Sequence, residues 1–301
     1  MLSYNVINRN NSPENNKKLF SSETELKVRF SIEENKCGTH SFSFCNWFVG
    51  YTDGDGCFSI YTNVLSNKIN LTYKLSQKTD NIQVLYYIKR KLGIGVVRKD
   101  KLGMAHFLVR DLKAIINIII PLFDSYPLQT SKRIDFLKFK ECSLVWRDDS
   151  LTQSQKILSI NNIKDNNKKY FLLSSDISNY ILNKYWIVGF IEAEGSFYLV
   201  EKEKDKRICH GFGITQKNEE LLLCKIRFNL KITAKVRYNK KGFYSLDCTN
   251  YKDLKFIKKF FFKTMKSKKA LIYRIWARSF RNRGNYLKLK KIKLQLNRVK
   301  V

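Results

Sequence analysis

Two stretches of the chain, Trp47 to Gly56 and Trp186 to Gly195, are apolar at most positions yet carry small residues four apart. Gly50 with Gly54, and Gly189 with Ala193, fall on one face of a helix, because residues at this spacing stack on the same side. Such a smooth stripe lets another backbone lie close. Each copy ends in an acid followed by glycine, Asp55-Gly56 and Glu194-Gly195, so contact between the two helices would set Asp55 beside Glu194. After each acid the period changes from helical to alternating. Phe58 and Ile60, like Phe197 and Leu199, are apolar and predicted to face helices, while Cys57, Ser59, Tyr61 and Asn63, with Ser196, Tyr198, Val200 and Lys202, face away. A second strand follows in each, with Tyr73, Leu75, Phe212 and Ile214 inward and Thr72, Lys74, Ser76, Gly213 and Thr215 outward. The first copy then predicts a helix from Asp80 to Leu92, a hairpin opened by Gly93 and Gly95, a helix from Asp111 to Phe123 and a third from Ser131 to Trp146. Asn46 is the expected cap of the opening helix.

The second half repeats this order at a fixed offset. Asp55 to Glu194 is 139 residues (194 − 55), as are Gln77 to Gln216, Arg98 to Arg237 and Asp111 to Asn250. An ungapped spacing of this length implies duplication and makes the halves structural equivalents. The fold expected is α+β, two pseudo-symmetric αββαββα halves at residues 45–146 and 184–280. Residues 147–183 read as a polar connector, 281–301 as a basic tail centred on Lys288 to Lys293, and 1–44 as a flexible extension rich in Asn, Ser, Lys and Glu.

Charge narrows the partner. The chain carries 57 Lys and Arg against 26 Asp and Glu, a net +31, which suits a polyanion and above all nucleic acid. An AT-rich codon bias explains part of the lysine excess but not why Arg98 and Arg237 hold equivalent places. Seven cysteines without a C-x-x-C pair argue for a reducing compartment and against a zinc or disulfide framework. His40, His106 and His210 are scattered, and no apolar run is long enough to span a membrane. Glu14, Glu23, Glu25, Glu33 and Glu34 do not suit a transit peptide, so a mitochondrial protein made inside the organelle is the simpler expectation. With both copies in one chain, a monomer is expected.

Two carboxylates about 5 Å apart would repel by roughly 3 kcal/mol at an effective dielectric of about 20, so a cation is expected between Asp55 and Glu194. A hard divalent ion sharing oxygen ligands with phosphate fits better than zinc, Mg²⁺ by preference with Mn²⁺ as a substitute. Ions held this way serve phosphodiester cleavage.

The two stretches resemble the paired signature of the LAGLIDADG family of homing endonucleases and RNA maturases, in its single-chain form, over about residues 46–280. The resemblance implies that Asp55 and Glu194 are the metal ligands and that the two sheets form a saddle over double-stranded DNA, the signature helices packing at the interface. Gln77 and Gln216 match the position that organises solvent beside each scissile phosphate, although capping the following helix is another role open to them. Lys132 matches the family's lysine at the start of the third helix, and its counterpart is Lys269 or the adjacent Lys268. Since a two-stranded ribbon fits the major groove, the DNA-binding candidates are Ser59, Tyr61, Asn63, Thr72, Lys74, Ser76 and Arg98, with Ser196, Tyr198, Lys202, Thr215, Lys235 and Arg237. Two functions compete. A site-specific endonuclease needs the acids, whereas a maturase stabilising its host intron RNA tolerates their loss; a DNA-binding regulator would be expected to lack them.

Overall fold

The apolar stretch ahead of the first acid forms helix α1, Phe42–Asp55. It begins upstream of Asn46, which therefore lies within the helix instead of capping it. Phe44 stacks on Phe48 at 5.8 Å and meets Tyr87 edge-on at 5.9 Å, and this burial carries the helix back past the polar residue. The chain then lays down β1, Gly56–Asn63, and β2, Lys68–Lys78, followed by α2, Ile82–Leu92. Gly93 ends α2 at φ 71°, a left-handed conformation open to glycine. Strands β3, Val96–Lys99, and β4, Met104–Val109, complete an antiparallel sheet of order β1-β2-β4-β3. Helix α3 runs through Leu112–Ala114, a π turn at Ile115–Ile119 and Ile120–Ser125, with Asp111 capping the Ala114 N–H at 2.7 Å. Helix α4 spans Lys132–Arg147.

The polar connector is not a plain crossing. Thr152 and Gln155 form a reciprocal capping box that starts α5, Gln153–Asp165, and α6, Asn167–Ser174, follows. Ile157, Ile160 and Ile163 of α5 are buried, and Asn161 accepts a hydrogen bond from Thr62 of β1 at 2.7 Å.

The second half repeats the first. Helix α7, Lys184–Glu194, leads into β5, Ser196–Lys202, β6, Arg207–Lys217, α8, Glu220–Asn229, β7, Arg237–Tyr238, and β8, Phe243–Cys248, in a sheet of order β5-β6-β8-β7. Helices α9, Tyr251–Phe260, and α10, Lys269–Ser279, cover its inner face. The basic tail forms α11, Tyr286–Lys300, with Leu289 and Leu296 buried. Tyr286 and Lys293 bond Glu201, the residue 139 places after Thr62, so α11 does for β5 what α5 does for β1. Both halves thus carry helices beyond the seven elements of αββαββα: α4, α5 and α6 follow the first seven, and α10 and α11 follow the second seven.

The structure, a computed structural model, describes residues 40–174, 182–202 and 206–300, and the described residues from 43 onward pack as one unit. The expected extension lies almost wholly outside the described residues, and its last three positions, 42–44, belong to α1. Inner faces are aromatic: Phe58 contacts Phe136 and Phe139 at 5.5 Å, and Phe197 contacts Trp276 at 5.0 Å and Tyr273 at 5.3 Å. Cutting any of these rings back to Ala would cost about 3–5 kcal/mol. Strand register obeys the same 139-residue offset, Lys74 pairing with Leu108 as Gly213 pairs with Asp247.

Candidate active site

Helices α1 and α7 cross on their small residues. A Cβ at Gly50 would lie 2.0 Å from the Trp186 carbonyl oxygen, and one at Gly189 would lie 2.0 Å from that of Trp47. Farther along, a Cβ at Gly54 would meet the Ala193 Cβ at 2.2 Å. Only glycine permits this approach.

Two further acids lock the crossing. Trp47 Nε1 donates to Glu192 Oε2 at 2.5 Å, and Trp186 Nε1 donates to Asp53 Oδ2 at 2.8 Å, so each helix's tryptophan serves the other's buried carboxylate. Asp53 also accepts from the backbone N–H of Gln129 and Thr130 and from the Thr130 hydroxyl. Glu192 accepts the matching set, the N–H of Lys266 and Ser267 and the Ser267 hydroxyl. These two segments lead into α4 and α10, so the buried acids fix where the helices bearing Lys132 and Lys269 begin. Sequence reasoning assigned Asp53 and Glu192 no role, though both obey the repeat offset.

Asp55 and Glu194 come together at the helix ends. Gln77 Nε2 donates to Asp55 Oδ2 at 2.6 Å, and Asn81 Nδ2 holds the Gln77 carbonyl at 2.7 Å. Gln216 makes the corresponding hydrogen bond to Glu194. Both glutamines therefore touch the acids instead of acting as caps for α2 and α8, whose preceding residues show no side-chain cap bond. Burial raises the Asp55 carboxyl above its ordinary range, opposed by Gln77, Lys132 and Lys269. Burial and then the Asp55 charge raise Glu194. Lys132 is lowered by burial and drawn back up by Asp55, Asp53 and Glu194.

The two lysines divide clearly. Lys132 Nζ donates to the Gly54 and Thr52 carbonyls, and Lys269 Nζ donates to those of Ala193 at 3.1 Å and Gly195 at 2.5 Å. Gly54 and Ala193 are equivalent positions, which makes Lys269 the geometric counterpart of Lys132. Lys268 instead pairs with Asp80 of the first half, while its N–H donates to Asn81 at 2.7 Å. The mirror contact joins Glu219 to the Ser131 N–H at 2.8 Å. Each lysine is thus preceded by a residue held from the opposite half.

The outer sheet faces carry the remaining candidates. Ser59, Thr72, Lys74 and Arg110 line one groove, in which Thr72 is almost covered by its neighbours. Tyr61 is exposed, and Asn63 turns back to Tyr61 and to the Ser66 N–H. Ser76 is bonded to His106 Nδ1 at 2.9 Å. Arg98 and Arg237 are exposed at equivalent register, opposite His106 and Ser245. Ser196, Lys202 and Thr215 are exposed, Tyr198 is half-buried against Asp247, and Lys235 lies in the loop before β7, not in the strand.

Among the described residues no group of three or more His, Cys, Asp or Glu gathers for a metal. A two-carboxylate site does suit Mg²⁺, which keeps waters and shares one or two carboxylates with substrate phosphates. No described helix is long and apolar enough to cross a membrane.

Residues 48–143 and 187–280 match the LAGLIDADG endonuclease family. The chain is 38% identical to a probable intron-encoded endonuclease of Schizosaccharomyces pombe, Cox1-I1b, over 82% of this chain and 67% of that protein. It is 29% identical to the uncharacterised mitochondrial protein RF1 of Saccharomyces cerevisiae, over 58% of this chain and 35% of that one. The solved structures that share its fold include two bound to DNA. The meganuclease I-SmaMI, bound to uncleaved DNA target in the presence of calcium ions, matches at TM-score 0.71 and 20% identity, over 84% of this chain and 98% of the other. The homing endonuclease I-GzeII in complex with its DNA target matches at TM-score 0.71 and 24% identity, over 82% and 96%.

Proposed function

The chain belongs to the LAGLIDADG endonuclease family, and on that premise we propose that it is an intron-encoded homing endonuclease that hydrolyses one phosphodiester in each strand of a double-stranded DNA site. The observation that carries this reading is the delivery of Asp55 and Glu194 to one axis, each with its own glutamine and lysine. Asp55 and Glu194 would hold a divalent cation, Mg²⁺ by preference or Mn²⁺. When bound, that ion supplies Lewis acidity toward the phosphate and the attacking water. The chain's own groups do the rest. Gln77 and Gln216 fix the carboxylates and order solvent beside each strand, while Lys132 and Lys269 place positive charge where the phosphate gains negative charge. Water is the nucleophile, so no covalent link to the protein forms. One chain supplies both half-sites and acts as a monomer. A gene within a mitochondrial intron fits the relatives and the AT-rich composition.

A second reading, binding of the host intron RNA, is favoured by one feature. Residues 254–301 hold 17 Lys and Arg and no Asp or Glu, and much of this charge lies on helices behind the sheet. That role would survive loss of Asp55 and Glu194. The test is cleavage of plasmid DNA carrying the flanking sequence of the gene, in Mg²⁺, alongside splicing of the intron by the same acid variants. Cleavage that persists after both acids are neutralised would remove the endonuclease reading.

A further inference from the structure

Among the described residues, the eight strands contain two acids. Glu201 faces the helices, tied to Tyr286 and Lys293 of α11. Asp247 is different: it stands exposed on the outer face of the second sheet, the surface assigned above to DNA. A carboxylate facing phosphates is repelled, so its presence on a chain of net charge +31 calls for a specific donor.

Its surroundings are built around it. The Tyr198 ring lies across Gly211, where an added Cβ would come within 2.1 Å of Cε2, and Gly213 leaves space for the carboxylate, whose Oδ1 would be 2.4 Å from a Cβ there. The Tyr198 hydroxyl donates to Asp247 Oδ1 at 3.0 Å. Burial and the neighbouring carboxylate raise the phenol above its ordinary range, so it remains a donor at neutral pH. One bond leaves an ionised carboxylate with further acceptor capacity.

The first half is the internal comparison. At the same offset Ser59, Thr72, Lys74 and Leu108 replace Tyr198, Gly211, Gly213 and Asp247, and the strand register is unchanged. There the face presents donors, Lys74 and Arg110, suited to acceptor edges such as those of guanine. Here it presents an acceptor.

In the major groove only cytosine N4 and adenine N6 offer donors. Adenine sets its N7 acceptor beside N6, where it would face the carboxylate, whereas cytosine has no acceptor on that edge. We propose that Asp247, oriented by Tyr198, is a specificity-determining residue that reads the exocyclic amino group of a cytosine in the half-site under the second sheet. The inference rests on the DNA-cleaving reading above.

The test is cleavage by the full chain, in Mg²⁺, of a randomised duplex library, with the cut sites sequenced. Wild type is expected to show cytosine at one position on one strand, favoured by roughly tenfold over other bases. Asp247→Asn, which can pair with both N6 and N7, moves that preference to adenine. Asp247→Leu, the first-half residue, abolishes it, and Tyr198→Phe weakens it, while every other position of the site is unchanged. Equal melting temperatures, expected at an exposed position, tie these changes to recognition. Variant profiles identical to that of a cutting wild-type chain overturn the assignment. A wild-type chain that neither binds nor cuts any duplex overturns the endonuclease reading, and this inference with it.

Discussion

Substituting Gly54 by Ala tests the helix crossing because the structure names both the clash and its cure. The new Cβ would meet the Ala193 Cβ at 2.2 Å and Glu194 Cγ at 3.2 Å. Ordinary contacts begin near 3.4 Å, so α1 and α7 must part by about 1 Å where they carry Asp55 and Glu194. Overpacking of this kind costs about 1–3 kcal/mol. A displacement of about 1 Å at a reacting centre lowers the rate by roughly a hundredfold. Gly54→Ala should therefore reduce single-turnover cleavage of the target by that factor, and lower the melting temperature by roughly 2–4 °C for each kcal/mol lost. Ala193→Gly removes the opposing methyl. Alone it costs about 1 kcal/mol of helix propensity, yet with Gly54→Ala it should restore most of the lost activity and show a coupling of about 1 kcal/mol or more. Gly189→Ala strikes the Trp47 carbonyl oxygen at 2.0 Å and should not be rescued by any single side-chain change. Additive effects of Gly54→Ala and Ala193→Gly would refute the close crossing.

Further expectations follow from individual groups. Lys269→Ala should slow one strand more than the other and accumulate nicked DNA, whereas Lys268→Ala, which loses the ion pair to Asp80, should cut both strands with a smaller loss; time courses on supercoiled plasmid distinguish them. Asp55 and Glu194 are raised by burial, so protons compete with the cation at higher pH than at an ordinary carboxylate. Cleavage should rise with pH along a limb displaced above 3.8–4.5, and added Mg²⁺ should move it toward lower pH; a limb at or below that range contradicts the assignment. His210, bonded to Ser279, is lowered by burial from 6.5 to about 4. The unfolded chain then binds more protons, so stability is complete above pH 6.5 and declines toward pH 4, and urea midpoints of His210→Gln should lack that part of the decline. Trp47→Phe removes one of four donors to buried Glu192 and should destabilise by about 1–3 kcal/mol, read as a shift in urea midpoint.

The duplication was legible because both halves kept their register: Gln77 and Gln216, or Arg98 and Arg237, occupy matched places in sequence and in space. Alternation in β1 and β5 placed Phe58 and Phe197 inside correctly. Other features depend on partners remote in the chain. The helix begins at Phe42 because Tyr87 helps cover Phe44, and no local signal carries that. Helices α5 and α11 lie in polar, Lys-rich segments whose packing is decided by a few buried residues, Ile157, Ile160, Leu289 and Leu296. Adjacent lysines 268 and 269 are indistinguishable in sequence; their direction, toward Asp80 or toward Gly195, separates them. Asp53 and Glu192 sit among apolar neighbours, and the four donors each accepts from, a tryptophan of the opposite helix among them, show why these buried carboxyls are tolerated.

The most direct measurement is cleavage and binding of the selected target by Asp55→Asn, Glu194→Gln and the double variant, in Mg²⁺. The account predicts that each single change abolishes double-strand cutting while duplex affinity stays within about a few-fold of wild type, since the sheet faces proposed to bind DNA are untouched. A double variant that still cuts both strands would show that the paired acids are not the catalytic centre.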